Sequence, residues 1–393
     1  MRVGVNYVPR SQWFYQWGHL DPQAVRDDLA QIADLGLDHV RIFPLWALLQ
    51  PNRALVSPDA VRDVLTVVET ARDQGLRVSV DVLQGHLSSF DFLPSWVLSW
   101  HARNVFTDPE VVAAQRDLIR TLAGELRGIE GVDGLSLGNE FIQFAAERHP
   151  HPAALDEAGA AAWVDALLGE AKAAWPAGTH TLSYDDDLLF DPTHPFTPRV
   201  GLTRGDVITV HSWIFGRLGP ALGADHPRLP LFARYLLELV RAWAAALGTP
   251  RPLWLQEVGA PLNYLSPDAA PDFLLATLDH AASVPELEAV TWWCSHDVSR
   301  ELADFPAVEY DLGLIDSAGR VKPTGRALAQ WAADMRAGAR ALPAAGREPL
   351  TIPAPDAEGA REAVRADGAL FARWAQAIAD GAPLTLSVQE DRA

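Results

Sequence analysis

Eight strand-like apolar runs alternate with helical patterns along this chain, and that alternation restricts the possible folds more than any other feature. Parallel strands need a crossover long enough to hold a helix, so a repeated strand-helix order predicts a parallel sheet covered by helices. The runs lie at residues 3–7, 39–43, 77–82, 132–137, 179–184, 206–211, 253–257 and 289–293. Helices are expected at 22–35, 58–73, 153–175, 229–247, 268–283 and 323–337, with another opened by Asp108-Pro109-Glu110. Gly36 and Gly75 stop the first two. After the fifth run the pattern weakens into a Pro-rich loop. With 393 residues the chain suits a single α/β fold, a (β/α)8 TIM barrel over residues 1–340. Residues 341–393 form a small C-terminal strand-helix-strand annex, expected at 349–352, 357–379 and 384–388. It is too short for a core of its own and is expected to pack on the barrel.

Composition removes several function classes. A formal net charge of −19 opposes a nucleic-acid surface, which needs clustered Lys and Arg. Cys294 is the single cysteine, so an intramolecular disulfide framework and a Cys-rich zinc site are both excluded. No stretch of about 18 apolar residues is present to cross a membrane. The chain enters a strand-like run at once, with no charged and apolar leader, which predicts a cytoplasmic protein whose substrate is imported or made inside the cell. Glycine patterns that cradle phosphates are missing from the strand-to-helix junctions. His149-Pro150-His151 and Asp185-Asp186-Asp187 resemble metal ligands only in composition and are expected to be solvated loops. No cofactor, metal, nucleic acid or membrane partner is expected, and homo-oligomerisation is left open.

Gly134-Leu135-Ser136-Leu137-Gly138-Asn139-Glu140 is an apolar run that ends in a carboxamide and a carboxylate, side chains that are costly to bury without partners. Leu253-Trp254-Leu255-Gln256-Glu257 ends in the same way. In a (β/α)8 barrel the C-terminal ends of all strands meet at one face, so Glu140 and Glu257 would point into one bowl. Two facing carboxylates suit cleavage of a glycosidic bond: one donates a proton to the leaving oxygen while the other attacks or activates water. Arg41, inward on the second run, would favour the ionised form of a neighbouring carboxylate. His86 and His211 could hydrogen-bond either carboxylate or a sugar hydroxyl, and Trp293 could floor the site by stacking. Ser295-His296-Asp297 has the residue types of a serine triad, but adjacent side chains cannot point at one another in series; His296 and Asp297 are kept as candidate sugar contacts. The long aromatic loop 84–107 and the loop 185–204 are expected to wall one end of the cleft.

These residues are recognisable as a set. Leu137-Gly138-Asn139-Glu140, Trp254-Leu255-Gln256-Glu257, Thr291-Trp292-Trp293, Gly313-Leu314-Ile315-Asp316 and Lys322-Pro323 resemble the retaining clan A glycoside hydrolases, family 5 in particular. Gly4-Val5-Asn6-Tyr7, Asp81-Val82-Leu83-Gln84-Gly85-His86 and Trp292-Trp293-Cys294-Ser295-His296-Asp297 look like the actinobacterial β-mannosidase branch, subfamily 18. The resemblance implies Glu140 as acid/base, Glu257 as nucleophile, and supporting roles for Arg41, Asn139, His211 and Trp293. It implies exo-acting removal of mannose from small β-linked oligosaccharides, including the mannosyl-β-1,4-N-acetylglucosamine unit of N-glycans. A β-glucosidase, a β-galactosidase or an endo-β-1,4-mannanase of the same clan is the alternative, and a non-catalytic carbohydrate-binding barrel a more distant one. Many members of the family carry a tyrosine two residues after the sixth-strand histidine; here that position is Trp213, with Tyr264 and Tyr184 as other replacements.

Overall fold

The computed structural model describes residues 1–388; residues 389–393 of the expected annex lie outside the described residues. Seven of the eight runs form one parallel sheet, from strands Arg2–Asn6, His39–Ile42, Arg77–Asp81, Val132–Ser136, Ile208–Ser212, Leu253–Val258 and Leu287–Trp292. The first strand pairs with the second, placing Asn6 beside Arg41, and also with the last, placing Val5 beside Trp292. That double pairing curls the sheet and brings both ends of the barrel sequence together.

The fifth run departs from expectation, because residues 179–184 form an extended segment rather than a continuous strand. On one side its backbone is bonded to the fourth strand, with Thr179 N–H donating to Asp133 O at 2.9 Å and Thr181 N–H to Leu135 O at 3.0 Å. On the other side two threonine hydroxyls help to bridge the gap: Thr181 Oγ1 donates to Val207 O at 2.9 Å and Thr209 Oγ1 to Leu182 O at 2.8 Å. Gly134 is what allows the approach, since a Cβ there would lie 1.8 Å from Thr179 O. The barrel therefore closes at its fifth position partly through side chains.

Outer helices begin where the sequence places caps. Asp21 accepts from Gln23 N and Ala24 N ahead of Pro22–Asp34, and Ser57 accepts from Ala60 N ahead of Pro58–Asp73. Asp108 caps Pro109–Leu126, and Asp156 caps Glu157–Ala174. Each helix turns an apolar stripe onto the sheet: Val25, Leu29 and Ile32 of the first are fully buried, and each such side chain contributes about 1.5–3 kcal/mol.

Beyond the barrel, strands Glu348–Ile352 and Leu384–Val388 pair in parallel around helix Ala369–Ala379. They sit on the barrel helix Phe232–Ala246 through a buried polar network. Glu238 accepts from Arg234 Nε at 2.8 Å, Leu386 N at 3.1 Å and Trp374 Nε1 at 3.2 Å. Tyr235 Oη donates to Val364 O at 2.7 Å and Trp243 Nε1 to Pro353 O at 2.9 Å. Arg234 is only 2% exposed, so removing Glu238 strands a buried cation at a cost of about 3–5 kcal/mol. We propose that the annex and barrel unfold as one unit. Glu238→Ala is then expected to lower a single calorimetric transition by roughly 4–6 °C, whereas a separate early transition for the annex would contradict it.

Candidate active site

The C-terminal ends of the strands surround a cavity of about 530 Å³ lined by His86, Asn139, Glu140, His211, Trp213, Glu257 and Trp293 among others. Glu257 lies within strand Leu253–Val258, one residue from its end. Glu140 follows the end of Val132–Ser136 and takes a left-handed backbone conformation, φ 42° and ψ 34°, as the chain turns into the short helix Phe141–Ala145. A carboxylate oxygen of each glutamate and a ring nitrogen of His211 lie within 4.8 Å of one another. Among the described residues these three could also surround a cation, but the Arg41 guanidinium already sets a positive charge against Glu257.

Arg41 is fully buried beneath the cavity and organises its floor. Its Nη1 donates to Glu257 Oε1 at 2.9 Å and to Asn6 Oδ1 at 3.3 Å. Nε and Nη2 grip Asp81 in a bidentate pair at 2.9 and 2.6 Å, and Nη2 also reaches Asn139 Oδ1 at 2.8 Å and Ser183 Oγ at 3.1 Å. Trp213 Nε1 donates to Glu257 Oε2 at 3.1 Å, so Glu257 receives a cation and an indole. Glu140 receives the Gln143 amide at 2.6 Å, and His211 Nδ1 lies 2.7 Å from its other oxygen.

Burial raises both carboxyls above the ordinary carboxylate range, and the charge of Glu140 raises Glu257 further. Two such carboxyls cannot both ionise cheaply, and the donors divide them. Glu257 is bonded directly to the guanidinium and Glu140 is not, which favours the ionised form at Glu257 more than at Glu140. Burial lowers the His211 imidazole, which keeps it neutral near pH 7. Its Nε2 lies 3.0 Å from Ser183 Oγ and 3.1 Å from Gln256 Oε1, which fixes the ring between the two glutamates.

Of the sequence-predicted residues, Asn139, Glu140, His211, Trp213, Glu257, Trp293 and His86 meet at the cavity. Arg41 does not line it and acts from below through the carboxylates. Trp213, two residues after His211, reaches Glu257 across Gly259, where a Cβ would come within 2.8 Å of the indole. Tyr184 is instead spent on Gly201 O, at 2.5 Å, and Tyr264 packs over Gly219.

His296 and Asp297 are corrections, since neither lines the cavity. After Trp293 the chain continues alongside the first strand, with Ser295 N–H donating to Asn6 O and Asp297 N–H to Ile315 O. The ring of His296 is thereby turned towards the first helix: it lies 3.2 Å from Val8 O and 3.4 Å from Gln31 Oε1, and burial pushes it down to about 3. Asp297 accepts from Lys322 Nζ and Gly313 N, both at 2.8 Å, and ties down the closing segment.

Two stretches expected to be solvated also need correcting. Asp185, Asp186 and Asp187 line the cavity with Arg148 and Arg217, which pair with them. His149 lies 3.1 Å from Asp91, whose other oxygen lies 3.0 Å from His86 Nδ1; His151 remains exposed. Loops 84–107 and 185–204 both reach the cavity, but they follow the third and fifth positions and so flank Glu140 from two sides rather than building one wall together. Ser88, Ser89, Gln143, Phe215 and Glu309 also line the site and escaped the sequence reading. Gln143 stands one turn beyond Glu140 and could have been found from that spacing. The others lie on loops without a motif.

No family model matches the chain. Solved structures do. A glutamate-to-alanine variant of the GH5_18 protein from Streptomyces cattleya, in complex with Manβ1-4GlcNAc, is 42% identical with a TM-score of 0.93, over 98% of this chain and 94% of that one. A glutamate-to-alanine variant of a GH5_18 protein from Bifidobacterium longum subsp. longum, in complex with the same disaccharide, is 41% identical with a TM-score of 0.93, over 99% of this chain and 91% of that one. Curated relatives match over short stretches: Cellodextrinase A from Ruminococcus flavefaciens is 37% identical over 82 residues, 21% of this chain, and Glucan 1,3-beta-glucosidase 2 from Schizosaccharomyces pombe is 40% identical over 132, or 33%. The matched stretches span 24% and 18% of those two proteins. With identity above 40% sustained over nearly the whole of both chains, this chain belongs to subfamily 18 of glycoside hydrolase family 5.

Proposed function

We propose that this protein is a retaining exo-β-mannosidase that removes terminal β-linked mannose from small oligosaccharides, with mannosyl-β-1,4-N-acetylglucosamine as its natural type of substrate. The observation that carries the mechanism is the placement of Glu140 and Glu257, with oxygens within 4.8 Å and Arg41 bonded to Glu257 but not to Glu140. Double displacement needs carboxyl groups about 5–5.5 Å apart, whereas an inverting pair leaves room for a water between them. The substrate side rests on the GH5_18 relatives solved with Manβ1-4GlcNAc. A cytoplasmic site of action belongs to the same proposal and fits a chain with one buried, free cysteine.

In this reading Glu140 gives its proton to the glycosidic oxygen as the Glu257 carboxylate attacks the anomeric carbon. Arg41 and Trp213 hold Glu257 ionised and aimed. Glu140, now a carboxylate, takes a proton from water, which displaces Glu257 and releases mannose with its original β-configuration. Asn139 has its Oδ1 held by Arg41, so its amide N–H is left to donate to the sugar 2-hydroxyl. Trp293, held edge-on against Phe43 and Trp213, supplies an apolar floor.

Glu257→Ala is expected to abolish turnover. Glu140→Ala should lose roughly 10²–10⁴-fold on poor leaving groups and much less on activated aryl mannosides. Equal activity of both variants and wild type would sink the assignment. Rates on aryl β-mannoside, β-glucoside and β-galactoside decide the sugar, internal cleavage of mannan would reveal an endo enzyme, and the first-formed anomer read by NMR decides retention.

The pH profile of kcat/KM should be bell-shaped. Activity falls on the acid side as Glu257 takes up a proton and on the alkaline side as Glu140 loses its own; because burial raises Glu140, the alkaline limb lies above the usual carboxylate range. Glu140→Ala should flatten that limb on an aryl mannoside. Trp213→Phe removes one hydrogen bond to a charged carboxylate and is expected to lower kcat by about 10–100-fold with little change in KM.

A further inference from the structure

The mechanism makes no use of Glu309, although its carboxyl lines the cavity. It sits in the short helix Ala307–Asp311, in the loop after the last barrel strand. Glu309 Oε2 accepts from Ser88 Oγ at 3.0 Å, and among the described residues it has no ion-pair partner. Burial, with Glu140 nearby, pushes this carboxyl up to about 7. Glu309 is half-buried, and a partly desolvated carboxyl without a cation costs stability unless something else bonds to it.

The surroundings hold Glu309 in place. Phe305 packs 4.8 Å from both Trp13 and Phe90, and Tyr310 packs 5.7 Å from Phe305, so the loops after the first, third and last strands share one aromatic cluster. Ser88 and Ser89 form the tip of the hairpin that carries Phe90, both with left-handed backbones at φ 49° and 72°. Ser88 is thereby presented to Glu309 by a turn rather than by a flexible arm.

The position in the barrel says which part of a substrate Glu309 faces. A leaving group must lie beside the proton donor, on the flank where Gln143 and Arg148 follow Glu140 in the chain. The opposite end, over the last, first and third strands, then receives the terminal sugar, with Trp293 beneath it. Glu309, in the loop after the last strand and bonded to Ser88 of the loop after the third, is placed on that side by topology, within reach of the Glu140 charge. A carboxylate accepts from two hydroxyls at once, and on the sugar edge remote from the broken bond those are the 3- and 4-hydroxyls. The 4-hydroxyl is the atom through which a preceding β-1,4-linked sugar would be joined.

Resting on the proposed function, we propose that Glu309 is a specificity-determining residue that bonds the free 4-hydroxyl of the terminal sugar, so that a residue inside a chain is rejected. Exo action is then read chemically at one atom. A linked 4-oxygen has no proton to give, which leaves the half-buried carboxyl without that partner.

The test is a cycle that combines Glu309→Ala with removal of the hydroxyl, measured on an aryl β-mannoside and its 4-deoxy analogue. The expected result is a loss in kcat/KM of about 10–100-fold for wild type on the deoxy substrate, a similar loss for Glu309→Ala on the normal substrate, and no further loss when both changes are combined. Losses that simply multiply, or a Glu309→Ala enzyme with unchanged kcat/KM, would overturn the proposal. Glu309→Gln, which keeps the side chain's shape, guards against misfolding and should show the same coupling in weaker form. Ser88→Ala should reduce it. The cycle is run on whichever aryl β-glycoside wild type turns over best, so a different sugar would revise the proposed function while the coupling between Glu309 and the 4-hydroxyl is still measured.

Discussion

Five hydrogen-bonded partners meet on one guanidinium, and the site depends on them. Arg41 joins Asn6, Asp81, Asn139, Ser183 and Glu257, residues from five separate stretches of the barrel. A fully buried cation is tolerable only when anions compensate it, and here two carboxylates do so. Among the described residues Glu140 has no hydrogen-bonded guanidinium of this kind. The different surroundings of the two glutamates follow from where that positive charge is fixed, and His211, its imidazole lowered by burial, lies between them.

The barrel must be closed accurately enough for those contacts to form. The fifth position, where the backbone ladder is incomplete, is bridged by Thr181 and Thr209, and Gly134 lets the segment come close. Ser183, a partner of Arg41, lies on that same segment. The weakest part of the sheet therefore carries part of the charge network. Above this floor the walls belong to loops, held by the aromatic cluster around Trp13 and Phe305 at one end and by the Arg148 and Arg217 ion pairs at the other.

Residues on strands were legible because a strand has a period. Once a run is assigned, alternation states which side chains point inward, and barrel topology states that strand ends converge; Glu140, Glu257, Arg41 and His211 needed nothing more. The same rule pressed beyond the strand misled at His296 and Asp297, because past Trp293 the chain turns these side chains towards the first helix and Lys322. Composition misled at Asp185 to Asp187, where three acidic residues read as solvent-facing and two arginines instead hold them at the cavity. Glu309 and Ser88 carried no readable signal, since their meeting depends on aromatic contacts between loops far apart in the chain.

Linear pattern was enough for the barrel, its order of elements, the pair of glutamates and the family to which the residues around them belong. These follow from local periodicity and from residue types at strand ends, which a one-dimensional string can express. Folding in three dimensions was needed to set Arg41 against Glu257 and not Glu140, to turn the Trp213 indole onto Glu257 and to choose which loop residues line the cavity. Those are matters of distance between side chains brought together through space, and charge and hydrogen bonding respond to such distances alone.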